Sequence, residues 1–158
     1  MLTEAEKSEI RELLRRNHDP RSAGVEALKI VQARRGWVSD EAIRDLAALL
    51  DMSPDELDSA ATFYSLVFRR PVGKHVIKVC DSLVCWFLGS SSLLEHLERK
   101  LGIKAGETTA DGRFTLLPIC CLGDCDHAPV MMVDDRQVRN LTPEVLDSVL
   151  AEYAAEEG

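Results

Sequence analysis

What this sequence lacks narrows its chemistry before any motif is considered. No apolar run approaches the roughly 20 residues that a bilayer-spanning helix needs. The opening stretch, MLTEAEKSEIRELLRR, is charged where a secretory signal would be apolar. A soluble, cytoplasmic chain without direct membrane insertion is the expectation. Positive charge is also in deficit, with 19 Lys and Arg against 27 Asp and Glu and a formal net charge of -8. A nucleic-acid surface calls for a basic face, so no nucleic-acid partner is expected. The glycines at 73, 89, 102, 106, 112 and 123 build neither a GxGxxG fingerprint nor a P-loop, so no nucleotide site is expected on this chain. There is no C-x-x-C, which removes thioredoxin-type dithiol chemistry. Internal repeats are missing, and so is low complexity apart from a short acidic tail. Cysteine is absent from the first 79 residues.

All five cysteines fall between Cys80 and Cys125. In a reducing compartment such a cluster reads as metal-binding or redox chemistry, because thiol pools keep disulfides from persisting. With 46% hydrophobic residues in 158, the chain has enough apolar material for an ordinary core.

The N-terminal part reads as helices punctuated by caps. Thr3 with Glu6 and Ser53 with Glu56 have capping-box spacing, Pro54 suits a first helical position, and Ser39 caps another helix. Ile10, Leu13 and Leu14, then Val25, Leu28 and Val31, then Ile43, Leu46, Ala47 and Leu50 recur at spacings that line one helix face, with Gly36 as a stop. These features predict a small helical bundle over residues 1–70, closed by the breaker Arg69-Arg70-Pro71-Val72-Gly73. From residue 71 the pattern changes. His75 to Cys80 alternates as a strand, Leu93, Leu94, Leu97 and Leu101 share a helix face that Gly102 ends, and Asp111-Gly112 introduces a strand from Phe114 to Ile119. Strands at Val130 to Val133 and around Val138 follow, and Thr142-Pro143 opens a last helix. The order β-α-β-β-β-α over residues 71–158 is compatible with a thioredoxin-like α/β layer.

Cys80 and Cys85 are separated by four residues and Cys121 and Cys125 by three, and each pair lies where a strand gives way to a loop. Four thiolates are the usual holders of an iron–sulfur cluster: they are soft, and their charge balances ferric iron. Plant-type ferredoxin spacing would need a third cysteine where Leu88 stands, and a Rieske centre would need two histidines where only His127 is near. Structural zinc remains as an alternative, although its knuckles favour C-x2-C pairs. Cys120 with Cys125 repeats the spacing of the first pair, so spacing leaves Cys120 and Cys121 both open.

Three stretches carry a family resemblance: Cys80-Asp81-Ser82-Leu83-Val84-Cys85, Asp111-Gly112-Arg113-Phe114-Thr115-Leu116-Leu117-Pro118, and Cys121-Leu122-Gly123-Asp124-Cys125 followed by Ala128-Pro129. The chain resembles the small, thioredoxin-like 2Fe-2S subunit of respiratory complex I, NADH:quinone oxidoreductase, over almost its whole length, including a similar Phe63-Tyr64 segment. The resemblance implies a thioredoxin-like 2Fe-2S domain preceded by a helical bundle. It implies one 2Fe-2S cluster ligated by Cys80, Cys85, Cys121 and Cys125, with Cys120 outside it. It also implies a partner subunit that carries FMN, the NADH site and a 4Fe-4S cluster, in a complex on the cytoplasmic side of the inner membrane. The function implied is electron transfer or storage. The corresponding subunit of an NAD-linked hydrogenase or formate dehydrogenase is the alternative in the same class.

Some side chains carry further expectations. Gly123 suits a turn that aims backbone N–H groups at sulfur, and Cys85 near a helix start is placed where the helix dipole favours a thiolate. Trp86 and Phe87 are expected in the core, and a non-ligand Cys120 as a small buried residue. His18, His75 and His96 read as surface or packing residues, and Arg34-Arg35 and Arg69-Arg70 as solvated charge. Asp81, Asp124 and Asp126 each adjoin a proposed ligand, where a carboxylate disfavours an added electron.

Overall fold

The computed structural model describes residues 1–155; residues 156–158, the end of the acidic tail, lie outside the described residues. The chain divides into two compact units, the first Met1–Val72 and the second beginning at Gly73.

The first unit is helical: α1 (Glu4–Arg15), α2 (Gly24–Arg35), α3 (Asp40–Leu50) and α4 (Pro54–Phe63), with a 3-10 turn at Pro20–Ala23. The caps explain the starts. Thr3 and Ser53 each accept from the backbone N–H three residues on, while Glu6 and Glu56 reach back to the cap N–H, and Ser39 caps α3. Helix α2 ends at Gly36, whose left-handed conformation (φ 80°) a side chain would resist. Ile10, Leu28, Val31, Leu46, Leu50 and Leu57 are fully buried together at the centre of the bundle. The segment after α4 folds back on it: Gln32 donates to Leu66 O and accepts from Phe68 N–H, and Val38 N–H donates to Phe68 O. Arg69, expected as solvated charge, is mostly buried and pairs with Asp58 and Asp40 while also donating to Val38 O.

The second unit has a four-stranded sheet in the order β2-β1-β3-β4, with β1 (His75–Cys80), β2 (Phe114–Ile119), β3 (Met131–Val133) and β4 (Arg136–Val138). β1 runs parallel to β2 and antiparallel to β3, and β3 and β4 are antiparallel. Between β1 and β2 lie α5 (Leu83–Phe87) and α6 (Ser90–Leu101), and α7 (Pro143–Ala155) closes the described chain. Ile77, Val79 and Leu116 from the sheet meet Leu93 and Leu97 of α6 and Leu146 and Val149 of α7 in one core. The mixed α/β architecture matches the expected class. One element is additional: the short α5 precedes the helix built on the leucine face.

β1 is central, so it is buried on both faces and its alternation is masked. Val76, Ile77, Lys78, Val79 and Cys80 are all buried. Lys78 is tolerated because its ammonium donates to Asp134 O at 2.5 Å. His75 packs on Tyr153 and Phe114 and bonds Asp134 through Nδ1 at 2.7 Å, and His96 bonds Asp147 at 2.8 Å; neither histidine is among the cysteines.

Candidate iron–sulfur site

Parallel pairing explains how distant cysteines converge. The register places Cys80 opposite Ile119, so β1 and β2 end at the same edge of the sheet. Cys80 closes β1 there, and the loop carrying Cys120, Cys121 and Cys125 begins one residue past β2. Two backbone bonds fix this corner: Cys80 N–H to Val130 O at 3.1 Å and Asp81 N–H to Ile119 O at 3.0 Å.

The first pair is buried. Cys80 and Cys85 are each 1% exposed and share a small apolar cluster with Val130, flanked by Leu122 and Ala128. Cys85 is the third residue of α5, whose first turn is closed by Trp86 N–H to Ser82 O at 2.8 Å. The second pair is exposed. The sulfurs of Cys121 and Cys125 are 3.9 Å apart, and Cys125 opens a 3-10 turn, Cys125–His127. Gly123, at φ 80°, turns its N–H onto Cys121 Sγ at 3.3 Å, the kind of N–H to sulfur contact expected of that glycine. The Ala128–Pro129 peptide that leaves this turn is cis.

Electrostatics tie the pairs together. Burial, then the neighbouring Cys80 thiol, pushes Cys85 up to about 11, against an opposing contribution from the Val130 backbone N–H, and Cys125 adds a repulsive effect. The helix start therefore does not dominate at Cys85; desolvation does. Cys125 is raised by its contact with Cys121 and by the charge of Cys80. Both shifts disfavour the thiolate in the free chain, and a bound cation would offset them. Among the described residues no three His, Cys, Asp or Glu side chains are drawn together around a single ion; the thiols are grouped as pairs. A 2Fe-2S centre shared by four cysteines asks two thiolates of each iron, and the donor set fits it. His127 turns to Asp124, with Nδ1 at 2.8 Å.

Three expectations are revised by this geometry. Trp86 and Phe87 are not in the core: they are 60% and 80% exposed, because α5 is too short to bury more than one side, which Cys85 occupies. Leu83, Val84 and Leu88, their neighbours in sequence, are exposed as well. Cys120 is exposed, not buried.

The profile of the thioredoxin-like 2Fe-2S ferredoxins matches residues 10–154. The chain belongs to that family. It is 50% identical over 152 residues to a subunit of the NADH-quinone oxidoreductase of Escherichia coli strain K12, covering 96% of this chain and 92% of that one. It is 48% identical over 153 residues to the like-named protein of Pseudomonas aeruginosa, covering 97% and 92%. Among solved structures, an NAD+-reducing NiFe-hydrogenase in its hydrogen-reduced state superposes with a TM-score of 0.72 at 26% identity, over 84% of this chain. This chain spans only 22% of that hydrogenase chain. A 2Fe-2S cluster is the cofactor of the family. No described helix is long and apolar enough to cross a membrane.

Proposed function

We propose that Cys80, Cys85, Cys121 and Cys125 hold one 2Fe-2S cluster and that the chain is the electron-transfer subunit of an NADH:quinone oxidoreductase. In that role it takes or stores one electron from the flavin of a partner subunit. The observation that carries the reading is that a buried and an exposed thiol pair both follow the shared end of the parallel strands β1 and β2, near enough for Cys125 to act on Cys85 electrostatically. The partner carries NADH, FMN and a 4Fe-4S cluster, and the complex lies on the cytoplasmic side of the inner membrane. Residues 1–70 and 71–158 act as separate domains, a helical bundle and the cluster domain.

Bound there, the cluster supplies one-electron chemistry whose potential the surrounding charge and hydrogen bonds adjust. The chain's own residues do the rest. Cys80 and Cys85 give the site a water-excluding floor, and Cys121 and Cys125 give it an outer wall near the surface. The N–H groups of Val130 and Gly123 stabilise negative charge on Cys85 and Cys121. Leu83, Trp86 and Phe87 offer an apolar face next to the site for the partner to cover.

The test is the visible absorption and EPR of the purified chain after dithionite reduction, with iron and sulfide assayed. A rhombic one-electron signal supports the reading; a colourless, zinc-containing protein defeats it. The isolated chain is expected to show no NADH turnover with an artificial acceptor and to co-purify with the flavin subunit. The hydrogenase likeness favours a second reading, a diaphorase subunit of an NAD-linked hydrogenase, with the corresponding subunit of a formate dehydrogenase as the other alternative in that class. The natively purified complex decides between them by reducing quinone, or by oxidising hydrogen or formate.

A further inference from the structure

An exposed loop keeps one backbone arrangement only where something ties it down. The loop of Cys121 and Cys125 is exposed, yet its end is strapped to the segment after β4: Asn140 N–H donates to His127 O at 2.8 Å and Leu141 N–H to Pro129 O at 3.0 Å. The strap has a side-chain component centred on Asp124, the residue immediately before Cys125. Its side chain is only 12% exposed; one carboxylate oxygen accepts from His127 Nδ1 and the other from Nε of Arg139, next in sequence to Asn140. The carboxylate thus links the start of the Cys125 turn to its end and to the segment after β4. It is also compensated, because the guanidinium of Arg139 stands on it. Asp124 is not the bare charge that its sequence position suggests.

We infer that Arg139 and Asp124 form a positioning pair for Cys125. The ion pair holds the ligand turn, and it offsets the carboxylate's charge beside the cluster, so that the pair rather than Asp124 alone biases the reduction potential. The inference rests on the four-cysteine reading above. Removing Asp124's charge leaves Arg139 uncompensated and favours an incoming electron; removing Arg139 exposes the carboxylate's charge and disfavours it.

The experiment is an EPR-monitored redox titration, at fixed pH, of the full chain with its cluster, comparing the natural protein with Asp124→Asn, Arg139→Gln and the double variant. Iron, sulfide and visible absorption of the natural protein are measured first, and their failure to report a 2Fe-2S centre refutes the cluster reading itself. Asp124→Asn is expected to raise the midpoint potential, Arg139→Gln to lower it, and the double variant to fall between them, with both single shifts shrinking at high salt. Release of iron to a chelator is expected to be several-fold faster in each single variant. Shifts of the same sign, or no shift, overturn the electrostatic half of the inference, and unchanged iron release overturns the positioning half. If Asp124→Asn does not retain iron, Arg139→Gln decides alone: a lowered potential supports the pair, and an unchanged or raised one overturns it.

Discussion

Glu6, 1% exposed in the first turn of α1, is gripped by Arg35 of α2, with Nε 2.6 Å from one carboxylate oxygen and Nη2 2.6 Å from the other. Glu6 is thus both the second half of a helix cap and the anchor between two helices, since the oxygen that meets Nη2 also accepts from Thr3 N–H at 2.7 Å. The Arg35 bond, opposed by burial and assisted by Thr3, lowers its pKa from 4.5 to about 2. A depressed folded-state value means that the stabilisation is complete above the unfolded value and is lost as pH falls toward the folded one. Between about pH 4.5 and 2 the pair should therefore surrender up to roughly 3 kcal/mol. Urea midpoints followed by helical circular dichroism should fall across that window, and Glu6→Gln should start lower and lose this part of the slope. A parallel pH dependence in both proteins would remove Glu6 as its source.

The ligand assignment makes a prediction about individual thiols. Cys80→Ala, Cys85→Ala, Cys121→Ala and Cys125→Ala should each lose or severely destabilise the cluster, whereas Cys120→Ala should keep it. Iron and sulfide per chain are the readout. An empty site in Cys120→Ala together with a normal cluster in Cys121→Ala would replace Cys121 by its neighbour.

The apolar face of α5 should be a binding surface and not a folding one. Trp86→Ala and Phe87→Ala remove side chains that are mostly in solvent, so the denaturation midpoint should correspond to a stability change within about 0.5 kcal/mol. Affinity for the flavin subunit should fall at least roughly tenfold, the scale of a buried aromatic anchor. Full affinity in the double variant, measured by calorimetry or retention on the immobilised partner, would place the docking face elsewhere.

Gly73 should resist substitution for a reason of space. A Cβ there would lie 2.9 Å from the backbone C and O of Arg113 and from C of Phe114, atoms that cannot rotate away. Its N–H also donates to Thr115 Oγ1 at 2.6 Å, so the strand entry has little room to shift. Gly73→Ala is expected to cost about 1–3 kcal/mol, read as a lowered chemical-denaturation midpoint. An unchanged midpoint would show that the β2 backbone yields.

Local chemistry is legible in the sequence wherever the interacting groups are three or four residues apart. The boxes Thr3–Glu6 and Ser53–Glu56, the Ser39 cap and the Gly36 and Gly102 stops are all of this kind, and each stands where the sequence places it; so do the strands ending at Cys80 and Ile119, which residue type and turn signals mark although their partners are remote. Fold class follows from the order of such elements, and the family resemblance of the cysteine stretches, more than their spacing, implies the kind of centre. Tertiary structure decides what depends on neighbours remote in the chain. Register alone sets Cys80 against Ile119. Arg35 reads as solvated until α1 brings Glu6 to it, and Arg69 until Asp40 and Asp58 meet it. Trp86 and Phe87 look like core residues by type, but burial depends on what packs around a side chain, and α5 has only Cys85 buried. Asp124 reads as a free charge beside a ligand until Arg139, 15 residues away, closes on it. A residue's type states which partners it can accept; only the folded chain brings one of them within reach.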